Sequence, residues 1–130
     1  MARKPSQNPT ELEFEILKIL WRVGPSTVRK VREELAGFRD LAYTSVMTML
    51  SIMTDKGYLD RKKKGTGYVY RAKVSEESTK HAMLSDLVDR AFEGSAGALM
   101  LNLLEKSSVK PGEIEELREL IAKRAKEGSK

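Results

Sequence analysis

There is no cysteine among the 130 residues. That excludes a disulfide framework, a thiolate metal site and a cysteine nucleophile. Histidine occurs once, as His81, near the start of a charged helical stretch. The acidic cluster Glu113, Glu115, Glu116 and Glu119 therefore has no neighbouring imidazole, which argues against metal ligation. Those acids read instead as residues of a helix N-terminus, where the helix dipole favours negative charge. No apolar run approaches the ~20 residues that span a bilayer. The opening "MARKPSQNP" is basic with no apolar segment behind it, so it does not read as a signal peptide. A cytoplasmic location is the default expectation. There is no phosphate-cradling glycine loop either, since "GTG" stands between strand-like runs and not before a helix. Neither catalytic residues, a metal site nor a cofactor is expected, and the chain does not read as an enzyme.

What is present is charge, unevenly spread. The net charge is +5, with 40% apolar and 33% charged residues, an ordinary balance for a globular chain. Residues 1–75 hold 15 Lys/Arg against 8 Asp/Glu, a net of +7; residues 76–130 hold 9 against 11, a net of −2. A basic half joined to a mildly acidic half suggests polyanion binding in the first and another task in the second.

Periodicity divides the chain at the same place. Residues 1–8 are polar and basic and read as an unordered arm. "NPTELEFEILKILW" opens a helix with Thr10 as N-cap and Glu13 completing a capping box. Leu12, Ile16, Ile19 and Leu20 recur at helical spacing. Gly24 and Pro25 break it. "STVRKVREELAG" follows as a second helix, capped at Ser26 or Thr27 and stopped by Gly37. A third helix is expected over about 43–56, with Val46, Leu50 and Met53 as its core stripe. "GYLDR" and "GYVYRAKV" are short β-type runs with "KKKGTG" as the hairpin tip. From Ser75 onward three helices are expected: one ending at Gly94, a short apolar one capped by Ser95, and a last one beginning near Pro111. The expected fold is mainly α with a small β-hairpin wing. A winged helix-turn-helix DNA-binding domain would occupy residues 9–74 and a helical dimerisation region residues 75–130.

Three helices followed by a basic hairpin is the order of a winged helix-turn-helix. The second helix of the turn lies in the major groove, and its outward residues must reach base edges and phosphates. Thr44, Ser45, Met47, Thr48 and Ser51 are candidates for that surface, because hydroxyls both donate and accept and a Thr methyl packs on a thymine methyl. Arg61, Lys62, Lys63 and Lys64 are candidates for phosphate contact from the wing. Either feature alone fits a plain solvated surface; their order and adjacency carry the reading. The apolar content of 84–92, 98–104 and 114–121 exceeds what a short three-helix tail hides alone. Leu84, Leu87, Val88, Leu99, Ile114, Leu117, Leu120 and Ile121 are therefore the expected interface of a symmetric homodimer.

These blocks also resemble a known family. "PTELEFEILKILW", "STVRKVREEL", "YTSVMTMLSIMTDKGYLDRKKKGTGYVYRA" and "SAGALMLNLLEKSSVKPGEIEELRELI" are similar, in order and spacing, to the penicillinase and methicillin-resistance repressors. The resemblance spans roughly residues 9–125. It implies a dimeric bacterial repressor whose winged helix occupies a double-stranded dyad operator. Thr44, Ser45, Met47 and Thr48 match the family's recognition-helix contact positions, and residues 61–64 its wing. Ile114, Leu117, Leu120 and Ile121 match its dimer core. Asn102 and Leu103 match the bond cut when a membrane sensor protease pathway relieves repression, with leucine here where the best-known members have an aromatic residue. The third helix lacks the arginines that relatives carry at the positions of Ile52 and, in some, Met47, which implies a different operator. The absence of cysteine excludes the copper-sensing branch. Two other readings stay open on the residues: a winged-helix protein-interaction adaptor, and a repressor released by a small ligand.

Overall fold

The computed structural model describes residues 8–128. The arm expected over residues 1–8 lies outside the described residues except for Asn8, whose side-chain amide donates to the Ala82 carbonyl (3.3 Å). The chain divides into two compact units, one ending at Asp86 and the other beginning at Leu87. That boundary falls inside a helix.

The first unit begins with α1 (Glu11–Val23). Thr10 caps it with a complete capping box: the Glu13 amide donates to Thr10 Oγ1 (3.2 Å) and the Thr10 amide to Glu13 Oε1 (2.8 Å). Next comes a two-residue strand, β1 (Ser26–Thr27), then α2 (Val28–Leu35), capped by Thr27, whose hydroxyl accepts from the Lys30 amide. This helix ends at Leu35 with Ala36 as its cap, short of Gly37. The third helix, α3 (Tyr43–Asp55), is followed by β2 (Leu59–Lys64) and β3 (Gly67–Ala72). The sheet order is β1-β3-β2, all antiparallel. The core is built by Ile16, Leu17 and Leu20 of α1, Val31 and Leu35 of α2, Val46, Leu50 and Met53 of α3, and Leu59 and Tyr70 of the sheet. Trp21 packs against this core, and its indole N–H donates to the Val74 carbonyl (3.0 Å).

Two features correct the sequence reading. The hairpin is joined by a third strand, β1, which is too short to leave a period of its own. The tip is also tighter than expected. Lys64 pairs with Gly67, so the loop is only Gly65 and Thr66, and residues 61–64 lie in the ladder of β2. Gly65 takes a φ of 63°, a left-handed conformation that glycine adopts without steric cost and that tight hairpins need at this position. Lysines do not interrupt a strand here because the ladder is made by backbone groups, which leaves the side chains in water.

Glu13 also does more than cap. It is only 2% exposed, and its second carboxylate oxygen accepts from Lys56 Nζ at 2.8 Å. The pair ties the start of α1 to the end of α3. Burial pushes the Glu13 carboxyl up. The Lys56 hydrogen bond, the Thr10 amide and the lysine charge outweigh it, leaving the group below the ordinary 4.5. The hydrogen bond to Glu13 raises Lys56 above 10.5. The pair's contribution is thus complete between those two values. It is lost on the acid side as pH falls from 4.5 through the lowered Glu13 value, and on the alkaline side as pH rises through the raised Lys56 value. Lys56→Met strands a buried carboxylate and is expected to destabilise the unit by about 2–3 kcal/mol at neutral pH. The difference from the parent should shrink when denaturant melts at neutral pH are compared with melts at a pH well below 4.5, as Glu13 takes up its proton. An equal difference at both pH values would mean that Lys56 acts through packing alone.

The second unit holds the end of α4 (Glu76–Ala91), then α5 (Ala96–Lys106) and α6 (Pro111–Gly128). Ser95 caps α5 as expected, its hydroxyl accepting from the Ala98 amide (3.0 Å). Leu99 is the buried residue of α5, and no residue of α6 is buried. Among the described residues no helix is long and apolar enough to cross a membrane.

Candidate nucleic-acid interface

The buried stripe of α3 settles which of its side chains face outward. Val46, Leu50 and Met53 are completely covered. Around the helix from them, Tyr43, Thr44, Ser45, Met47 and Thr48 are exposed. Of the five residues singled out on this helix, only Ser51 is half-buried. Ala42 stands at the N-cap position and offers no side-chain hydrogen bond, so the amides of the first turn keep their donors for water or an anion. The outward face is therefore made of hydroxyls, a thioether and a phenol.

The hairpin supplies the cations. Directly opposed residues of an antiparallel pair share a face. Arg61 opposes Tyr70 and Lys63 opposes Tyr68, so these two cations share the face that turns toward the core at Tyr70. Lys62 opposes Val69 and Lys64 opposes Gly67, on the other face. The residues that the sequence groups as one tip are thus two pairs on opposite sides of a ribbon. Arg61 is held in place by Tyr68, over whose ring its guanidinium lies at 4.3 Å. Among the described residues, none of Arg61, Lys62, Lys63 and Lys64 takes part in a salt bridge, whereas Arg71 on the same hairpin pairs with Asp60 (3.1 Å). Four uncompensated cations on a two-stranded ribbon form a surface for a polyanion.

Between the start of α3 and the hairpin runs a cleft of about 410 Å³. Tyr43, Met47 and Tyr68 give it an apolar lining, and Arg29 and Lys64 stand beside them. Tyr43, Tyr68 and Arg29 were missed by the sequence reading. The i, i+4 spacing of Tyr43 to Met47 was a usable signal for the first; Tyr68 becomes legible only once the register sets it opposite Lys63.

The residues expected at a dimer interface are distributed as follows. Leu84, Leu87, Ile114, Leu120 and Ile121 are exposed, Val88 and Leu117 half-buried, and Leu99 buried. In the second unit, α5 and α6 enclose a groove of about 640 Å³ lined by Met100, Leu103, Leu104, Leu117, Leu120 and Ile121. Asn102 and Leu103 are exposed within α5. His81 is exposed on α4.

Three helices, a three-stranded sheet with a basic hairpin, and an exposed hydroxyl-bearing third helix define a winged-helix DNA-binding protein. The family model described as "Penicillinase repressor" matches residues 9–123, and the chain belongs to that family. Its members are transcriptional repressors and not enzymes. The methicillin resistance regulatory protein MecI of Mammaliicoccus sciuri is 29% identical over 112 residues, covering 86% of this chain and 91% of that protein. The penicillinase repressor of Bacillus licheniformis is 25% identical over 112 residues, covering 86% of this chain and 88% of that one. In fold alone, a solved MarR family protein from Bacillus stearothermophilus overlays 94% of this chain and 76% of its own, with a TM-score of 0.51 and 18% identity.

Proposed function

We propose that the chain represses transcription as a homodimer that occupies a dyad operator, with one winged-helix unit on each half-site. The observation that carries the reading is the pairing, in one unit, of an exposed polar α3 face with the unpaired cations of β2. A helix in the major groove reads bases, and cations beside it bind phosphates and set the salt dependence. Two such units about one helical turn apart, ~34 Å, match a palindrome. The unburied apolar side of α6 supports the second copy as partner.

Relief of repression belongs to the same reading. Asn102 and Leu103 form the bond that would be cut by a membrane sensor protease pathway. The bond is exposed but lies within α5, so a turn of that helix must open before a protease takes it in.

The test is a binding titration on the chain's own upstream region against a scrambled sequence of equal length, followed by footprinting. Tighter binding to the native region, a steep fall with salt and a two-fold symmetric footprint are expected. Equal binding to both sequences would reduce the interaction to charge attraction and remove the operator from the reading.

A further inference from the structure

We infer that the apolar side of the cleft between α3 and the hairpin reads thymine C5-methyl groups, and that Met47 is its specificity-determining residue. The inference rests on the operator-binding reading above and names what that site recognises. It begins from an unusual exposure. Met47 is 41% exposed, Tyr43 47% and Tyr68 38%, three large apolar side chains around one cleft whose neighbours are Arg29 and Lys64. A lone exposed methionine is unremarkable, but an apolar floor beside cations fits an occupant that is itself apolar at its centre and anionic at its edge. A duplex presented at its major groove has that pattern: base edges carry the thymine methyls, and the phosphates run alongside.

The position on the helix agrees. Tyr43 and Met47 are one turn apart in the N-terminal half of α3, and in helix-turn-helix proteins these first turns touch the base edges. The chemistry narrows the base. Guanine is read in the major groove by Arg or Lys through O6 and N7 and adenine by the bidentate amide of Asn or Gln, while Ser and Thr hydroxyls bond to either and single out neither. The exposed positions in the first two turns of α3 carry Tyr43, Thr44, Ser45, Met47 and Thr48. Thymine is the base whose distinguishing major-groove mark, a methyl group, is recognised by apolar contact. The flexible thioether of Met47 can follow that methyl into close contact, and the Thr48 methyl lies next to it in sequence. Lys64 keeps a cation at the hairpin side of the cleft.

The experiment replaces each thymine inside the footprint, one at a time, by deoxyuridine, which deletes the methyl and keeps the base-pairing groups. Affinity is measured for the full chain and for Met47→Ala; circular dichroism checks that the variant is folded, which an exposed helical site predicts. For the parent chain, one or two thymines per half-site should be sensitive, each losing about three- to fivefold in affinity. Met47→Ala should bind the natural operator less tightly and should lose that sensitivity, binding thymine and uracil forms alike. If the parent prefers its own upstream region yet no deoxyuridine weakens it, methyl reading is wrong while the repressor reading stands. If Met47→Ala keeps the full sensitivity, Met47 is not the reader. If the parent does not distinguish its region from scrambled DNA, the repressor reading itself fails, and this inference with it.

Discussion

Replacing Lys62, Lys63 and Lys64 together by alanine is expected to weaken binding to an isolated half-site about a hundredfold at 0.15 M salt. The size follows from counterion release. Each lysine on a phosphate displaces about 0.9 condensed cations, and releasing them into 0.15 M salt favours binding by about 1 kcal/mol. Three such contacts sum to about 3 kcal/mol, close to two decades in affinity. The slope of log affinity against log salt should flatten by about 3, and the loss should be similar on native and scrambled DNA, since phosphates carry no sequence. The fold should be untouched, because all three side chains are exposed on β2 and take part in no salt bridge among the described residues. The alternation of faces adds a finer expectation. Lys63 shares its face with Arg61 and Tyr68, and Lys62 and Lys64 share the other. A hairpin laid flat on one backbone strand would lose slope from one face only; a hairpin set edge-on into a groove would lose it from both. Single substitutions compared by slope separate these two docking modes. A triple variant with unchanged slope would take the hairpin off the DNA altogether.

The hairpin also shows where sequence reasoning reaches and where it stops. Period and capping are local, and they were legible: the Thr10–Glu13 box, the Val46, Leu50 and Met53 stripe and the Ser95 cap all appear in the fold. Pairing is not local. A two-residue strand such as β1 has no period to detect, and its existence depends on β3 lying alongside it. Lys62, Lys63 and Lys64 looked like a loop because charge and glycine adjoin in sequence. They form a strand because the backbone ladder to residues 67–69 needs no apolar side chains. The Glu13–Lys56 pair, at a separation of 43 residues, has no sequence signal at all. For the candidate site the same division holds. The outward residues of α3 followed from the inward ones, whereas the cleft with Tyr68 required the register.

The second large effect concerns α6. An isolated amphipathic helix of 18 residues with none of them buried gains little from its own packing, and helices in water depend on tertiary burial for most of their stability. Leu120 and Ile121 are 57% and 53% exposed and flank the groove between α5 and α6. Within one chain they have little to lose, so Leu120→Glu combined with Ile121→Glu should leave the melting of the winged-helix unit unchanged; glutamate is about as good a helix former as leucine. In the proposed dimer the same carboxylates would be forced into an apolar two-fold interface beside their symmetry mates, at a cost of several kcal/mol. Sedimentation should then report a monomer where the parent sediments as a dimer. Affinity for a full dyad should fall by about two to four decades, the benefit of tethering two half-site contacts, while affinity for an isolated half-site stays the same. That contrast is what identifies the cause. A loss on both DNAs would point to damage in the winged helix, and a variant that still sediments as a dimer would move the interface away from α6.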